Sequence, residues 1–189
     1  MSRPRSEDKR NAILHAATEV VAELGISAPT ARIARDAGVA EGTLFTYFAT
    51  KDELLNQLYL VLKLDLREAM MRGYPSGKSL IERSRHLWNG YIGWGTAYPL
   101  KRKAMGQLAV SDRITEKNKK LGSEAFGETN DMLRESSAGG ALKDRPPAFA
   151  AAIMSAIADT TMNFIANEPG QATQYTKVGF DAFWKAITR

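Results

Sequence analysis

Gly38 constrains this chain more than any other single residue, because it sits where two short apolar-faced segments must turn sharply against each other. Before it, Pro29 opens a short helix, where a missing N–H costs nothing, and Ile33, Ala34 and Ala37 face inward. After it, Val39 packs under the turn and a third short helix runs to about Phe48. Ala49 and Thr50 make a tight link, and Thr50 caps a longer helix carrying Leu54, Leu55, Leu58, Leu62 and Leu66. Upstream, a first helix is predicted from about Ser6 to Leu24. Ser6 is its cap, Glu7 and Asp8 suit its positive end, and Gly25 is its stop. Ile13, Ala16, Ala17, Val20 and Leu24 recur along it at helical spacing. Two short helices about a glycine turn, braced by a helix on either side, predict a helix-turn-helix headpiece.

The rest of the chain also reads as helix, and strand-like alternation is nowhere sustained. Gly73 to Gly77 is the clearest linker. A fifth helix carries Leu80, Leu87, Tyr91, Trp94 and Tyr98, and Pro99 begins a sixth that ends near Val110. Ser111 or Asp112 caps a long seventh, to about Ser137, and two last helices cover about Pro147 to Asn167 and Gln171 to Thr188. The expected fold is all-α: a headpiece at residues 1–50 that carries the helix-turn-helix, and a helical effector-binding and dimerisation domain at 51–189.

Composition removes several classes of function. With no cysteine there are no disulfides, thiolate metal sites or thiol redox chemistry. Two histidines make a histidine-rich metal site unexpected. No Ser-His-acid set, metal-ligand spacing or phosphate loop names a reaction, so neither an enzyme nor a cofactor is expected. The N-terminal stretch is polar, without the apolar run of a secretory signal. The most apolar segment, Ala148 to Ala166, is interrupted by Ser155, Asp159, Thr160, Thr161 and Asn163, which argues against a bilayer span and for a cytoplasmic protein. The net charge of +5 mildly favours a polyanion partner, yet residues 1–60 hold seven Lys/Arg against eight Asp/Glu. DNA binding must therefore be argued from local geometry.

That geometry lies between Ile33 and Phe48 (IARDAGVAEGTLFTYF) and in the following Lys51 to Leu55 (KDELL). Gly38 permits the left-handed turn between the helices, and Gly42 lets backbone approach a base edge or phosphate. Thr43, Thr46 and Tyr47 present hydroxyls for phosphate oxygens, and Phe45 suits a thymine methyl. Lys51 begins the fourth helix, where its ammonium and the free N–H groups can hold a phosphate. The run resembles the signature of TetR-family regulators, roughly I-A-x-x-A-G-V-S-x-G-x-x-Y-x-Y-F-x-x-K-x-x-L, over about Arg10 to Leu60. The resemblance implies that Glu41, Gly42, Thr43, Phe45, Thr46 and Tyr47 form the DNA-facing helix and that Thr30 and Lys51 touch phosphates. Three positions depart from it. Ala40 replaces a serine, removing a helix cap. Phe45 replaces a tyrosine. Glu41 stands where Lys or Gln is common, and either accepts from cytosine N4 or serves the helix N-terminus.

In the body, the aromatic cluster Trp88, Tyr91, Trp94 and Tyr98 is the main candidate for a small-molecule pocket, with Met105, Leu108, Phe126, Met154 and Phe164 behind it; the competing reading is ordinary core at helical spacing. Near the end, the slim helix with Ala152 and Ala156 faces a bulky one with Phe180, Phe183 and Trp184. Such faces interlock across a two-fold axis in a homodimer, or pack within one chain. The TetR resemblance favours the dimer. It implies a regulator of transcription, most simply a repressor that grips a pseudo-palindromic operator in double-stranded DNA and is relieved by a small-molecule effector. The rival reading is a helical ligand-binding protein whose headpiece no longer holds DNA, supported by the near-neutral headpiece and Ala40.

Overall fold

The computed structural model describes residues 7–188, and among them every regular element is helical. The predicted Ser6 cap lies outside these residues. Helix α1 (Glu7–Leu24) buries Ile13, Ala16, Ala17 and Val20 as expected, whereas Leu24 at its end is exposed. Gly25 closes it at φ 84°, its N–H donating to the Val21 carbonyl over 2.9 Å. Helix α2 (Thr30–Asp36) starts one residue after Pro29, which is its N-cap. Gly38 follows at φ 68°, with the Val39 N–H donating back to the Ala34 carbonyl. Helices α3 (Glu41–Tyr47) and α4 (Lys51–Met71) complete the headpiece and its exit. The start of α4 is closed reciprocally: the Glu53 N–H donates to Thr50 Oγ1 over 3.0 Å, and the Ala49 N–H donates to the Glu53 carboxylate over 2.8 Å.

Helices α5 (Leu80–Ala97) and α6 (Pro99–Ala109) match the sequence reading. The predicted long seventh helix does not form. The segment after α6 is drawn inward by buried Ile114, and helix resumes only at α7 (Glu116–Glu124), where the Asn118 N–H donates to Thr115 Oγ1. The cap is thus Thr115, not Ser111 or Asp112. Phe126, at φ −101° and ψ 31°, then breaks the chain before α8 (Gly127–Ser137). Helix α9 (Pro147–Asn167), a 3₁₀ turn at Pro169–Gln171 and α10 (Ala172–Thr188) end the described chain.

These helices form two compact units, and the division does not fall at residue 50. The first holds the chain up to Leu64 together with Tyr98–Ser123. Here α1 packs on α2 and, more extensively, on α6, while Leu54, Leu55 and Leu58 of α4 are fully buried. The second unit holds Asp65–Ala97 and the chain from Glu124 onward, with α9 packed on α5, α8 and α10. Its centre is Trp88, whose ring stacks on Phe183 (5.7 Å between centroids, 9° between planes) and meets Phe180 edge-on at 6.4 Å.

One approach in the second unit is close enough to require glycine. A Cβ on Gly90 of α5 would lie 2.7 Å from Met70 Cα and 2.9 Å from the Ala69 carbonyl of α4. Both neighbours are backbone, so the helices must separate to admit a methyl group. Gly90→Ala should therefore destabilise the protein by about 1–3 kcal/mol, the usual cost of overpacking. Gly93→Ala, with nothing within 4 Å of its added Cβ, should instead stabilise it by up to about 1 kcal/mol through helix propensity. Thermal unfolding of the two variants should show shifts of opposite sign.

Candidate nucleic-acid interface

The α2–turn–α3 segment is amphipathic in a way that sorts its residues into two sets. Ile33, Ala34, Leu44 and Phe48 are buried, as are Leu54, Leu55 and Leu58 of α4, while Val39 is half-buried. Glu41, Gly42, Phe45 and Thr46 lie on the opposite side of α3 and are exposed; Thr43 and Tyr47 flank them, half-buried. Phe45 is a large apolar side chain left 40% exposed, although the headpiece core is closed beside it. The structure thus brings the sequence-predicted residues of α3 onto one outward face, with Thr30 at the start of α2 and Lys51 at the start of α4 on its borders.

Ala40 is the N-cap of α3 at φ −67° and ψ 147°, and it offers no side-chain oxygen to the helix. A polar link runs between side chains: Thr30 Oγ1 donates to Glu41 Oε1 over 2.6 Å, tying the start of α2 to the start of α3. Glu41 is held at the helix N-terminus, where a carboxylate is favoured by the dipole, and Thr30 spends its proton there. Thr46 Oγ1 donates to the Gly42 carbonyl over 3.0 Å and keeps its lone pairs outward.

The arginines of α2 are paired with carboxylates. Arg32 and Arg35 of α2 both pair with Asp36, at 2.5 Å and 3.2 Å, and Arg32 also reaches Glu23 at 3.4 Å. The hydrogen bond from Arg32 holds the Asp36 carboxyl below its ordinary range, and that same bond holds the guanidinium above its own. Lys51 differs: partial burial and the positive charge of Arg113 lower the pKa of its ammonium, with Asp52 opposing. Arg113 comes from the segment after α6 and donates from Nη1 to Asp52 Oδ1 over 2.8 Å. Sequence reading missed it because nothing in the chain between Asp52 and Arg113 signals that they meet.

Similarity to known proteins agrees with this geometry. Residues 13–58 match the family model described as "Bacterial regulatory proteins, tetR family". The chain belongs to the TetR family. The uncharacterised helix-turn-helix transcriptional regulator YhgD of Bacillus subtilis is 23% identical over 156 residues, 79% of this chain and 80% of that protein. A Shewanella sp. PV-4 protein described as a tetR family transcription regulator superposes with a TM-score of 0.84 at 27% identity, covering 97% of this chain and 98% of its own. The TetR-like regulator LfrR of Mycobacterium smegmatis, solved with proflavine, has the same fold at a TM-score of 0.68 and 19% identity, covering 94% and 95%. This TetR-family transcriptional regulator therefore carries an N-terminal helix-turn-helix and a C-terminal helical body.

Within the body, the candidate pocket residues do not all come together. Trp88, Tyr91, Trp94, Phe126, Met154 and Phe164 lie in the second compact unit, and Tyr98, Met105 and Leu108 in the first; Tyr98 and Phe164 are about half exposed. Trp88 is core: no part of it is exposed, its Nε1 donates to the Thr176 carbonyl over 2.9 Å, and one ring face is covered by Phe183. Trp94 points its Nε1 at Asp65 Oδ2 over 2.8 Å, which places a carboxylate of α4 against the aromatic row of α5. Asp65 was not signalled by the sequence, where it reads as one polar position on a leucine-rich helix.

The dimer candidates also divide. Phe180 and Phe183 are buried in their own unit and have no surface to give a partner, because α10 turns its bulky side onto Trp88. Trp184 is half-buried and stacked on Phe180 at 6.0 Å. Ala152 and Ala156 are exposed. The exposed bulky residues of the last two helices are instead Phe149, Phe164 and Val178.

Proposed function

We propose that this regulator is a ligand-relieved repressor that binds a pseudo-palindromic operator as a homodimer, with DNA binding assigned to residues 1–50 and the effector and dimer functions to 51–189. The observation that carries the DNA reading is the outward row Glu41, Gly42, Phe45 and Thr46 on α3, backed by buried Leu44 and Phe48. A helix so mounted offers a groove-sized edge, with Thr43, Thr46, Tyr47 and Lys51 for phosphates and Phe45 for a thymine methyl. Work on chromosomal DNA implies a cytoplasmic protein.

The effector is assigned to the second unit, beside Tyr91 and Trp94, with Asp65 as the polar group; Phe126 and Met154 belong to the same unit. LfrR, which shares the fold, was solved with proflavine, which supports a flat aromatic molecule as the class of effector. Helix α4 runs continuously from Lys51 into this unit, which makes it the route by which effector and operator affinities are coupled. A ligand that binds the DNA-incompetent spacing more tightly shifts the population toward it.

The test is titration of a labelled duplex, from the region upstream of the protein's own coding sequence, across a range of low to moderate salt. Wild type should bind with a steep negative salt slope. Lys51→Ala should bind about eightfold more weakly at about 100 mM salt for each phosphate it no longer holds, with a slope shallower by about 0.9 per phosphate. A wild-type protein that retains no duplex at low salt leaves a helical ligand-binding protein instead of a repressor.

A further inference from the structure

The segment that follows α6 is fastened to α4 with unusual thoroughness. Asn56, only 7% exposed, donates through Nδ2 to the Arg113 carbonyl over 2.9 Å and to the Asp52 carbonyl over 2.7 Å. Its Oδ1 accepts from the Thr115 N–H at 3.0 Å and from Asn118 Nδ2 at 2.7 Å. Ile114, buried to 1% exposure, anchors the same stretch from below, and the Arg113 N–H donates to Ser111 Oγ over 3.1 Å. The backbone on both sides of Arg113 is therefore fixed. Its side chain is not buried with it: the Arg113 side chain remains 45% exposed and that of its Asp52 partner 59%. A buried amide spent on fixing a loop that displays one exposed arginine is a costly arrangement for a surface ion pair, which by itself is worth about 0–1 kcal/mol.

We propose that Arg113 is a phosphate-binding residue of the DNA surface, contributed from outside the helix-turn-helix and acting with Lys51 across Asp52. The inference rests on the DNA-binding function proposed above. Arg113 pairs with Asp52, the residue that follows Lys51 in the chain, and the charge of Arg113 is near enough to lower the pKa of the Lys51 ammonium. Their repulsion is carried by the free protein and relieved when a phosphate oxygen sits between them. The guanidinium keeps further N–H donors beyond the one at Asp52, in a planar fork suited to phosphate. The fixed backbone spares most of the ordering cost on binding.

The test uses full-length protein, a labelled mixed-sequence duplex and the upstream duplex, with binding followed by fluorescence anisotropy across salt. Arg113→Ala should weaken binding to both duplexes about eightfold per site at about 100 mM salt and flatten the salt slope by about 0.9 per site. Arg113→Lys should keep the slope. Asp52→Asn should act in the opposite direction and tighten binding, since it removes the competing carboxylate. Unfolding curves of each variant separate these effects from stability. If the pair is only a staple, Arg113→Ala and Asp52→Asn will both lower the melting temperature and move DNA binding the same way, which overturns the proposal. So does wild-type binding with an unchanged slope in Arg113→Ala, and that result leaves the DNA reading intact. No wild-type binding at all overturns both.

Discussion

Trp88→Ala should cost about 3–5 kcal/mol, the range for emptying a buried large aromatic site. The indole is wholly enclosed, stacked on Phe183 and edge-on to Phe180, and its Nε1 donates to the Thr176 carbonyl of α10. Alanine leaves a cavity among rigid rings and removes the indole's bond to the Thr176 carbonyl, and neighbouring space is already taken. Gly179 shows how tightly: a Cβ there would lie 2.8 Å from Trp88 Cζ2 and 2.4 Å from Thr161 Oγ1. Chemical denaturation followed by circular dichroism gives the number, with Trp184→Ala as the half-buried comparison. A loss below about 1 kcal/mol, far under the usual cost of such a cavity, with effector affinity falling instead, would return Trp88 to the wall of a binding pocket.

The same residue shows where sequence periodicity stops being informative. Spacing placed Trp88, Tyr91 and Trp94 on one side of a helix, and they are all buried. It did not say whether that side faces a cavity or a neighbouring helix, because apolar residues serve both. The headpiece was legible for the opposite reason: its information is local. Gly38 at φ 68°, the Thr50 cap and the Leu44/Phe48 core follow from neighbours in the chain. Glu41 was legible only to two alternatives, and the bond from Thr30 favours the helix-serving role. What escaped were meetings across long stretches of chain. Asn56 and Asp52 hold the segment at Arg113, and that hold ends the helix predicted to run through it. Compact units likewise follow such meetings, so Tyr98–Ser123 joins the headpiece although it follows the linker in sequence.

Phe164→Glu combined with Val178→Glu should convert a dimer of about twice 20.8 kDa into a monomer and weaken operator binding by about 10²–10⁴, the avidity that disappears when two linked headpieces become independent. Helix α9 is apolar enough to cross a membrane by length and composition, yet only 33% of its apolar window is buried within the chain. Phe149 and Phe164 are about half exposed along it, Ala152 and Ala156 lie exposed between them, and Val178 of the adjoining α10 is 53% exposed. These exposed apolar side chains, interrupted by exposed Asp159, Thr160 and Asn163, are what a partner covers in the dimer proposed above. A second copy is the economical cover, since a two-fold axis places each substitution in the interface twice and puts paired carboxylates against each other in a desolvated setting. Neither residue belongs to the core around Trp88, so the monomer should keep its helical signal; within the chain the double variant gives up the ring pair of Phe164 with Tyr175, 5.5 Å between centroids. Sedimentation equilibrium reads the mass and anisotropy the affinity. A double variant that stays dimeric would move the interface elsewhere, and one that becomes monomeric while still holding the operator at full strength would remove the need for two headpieces.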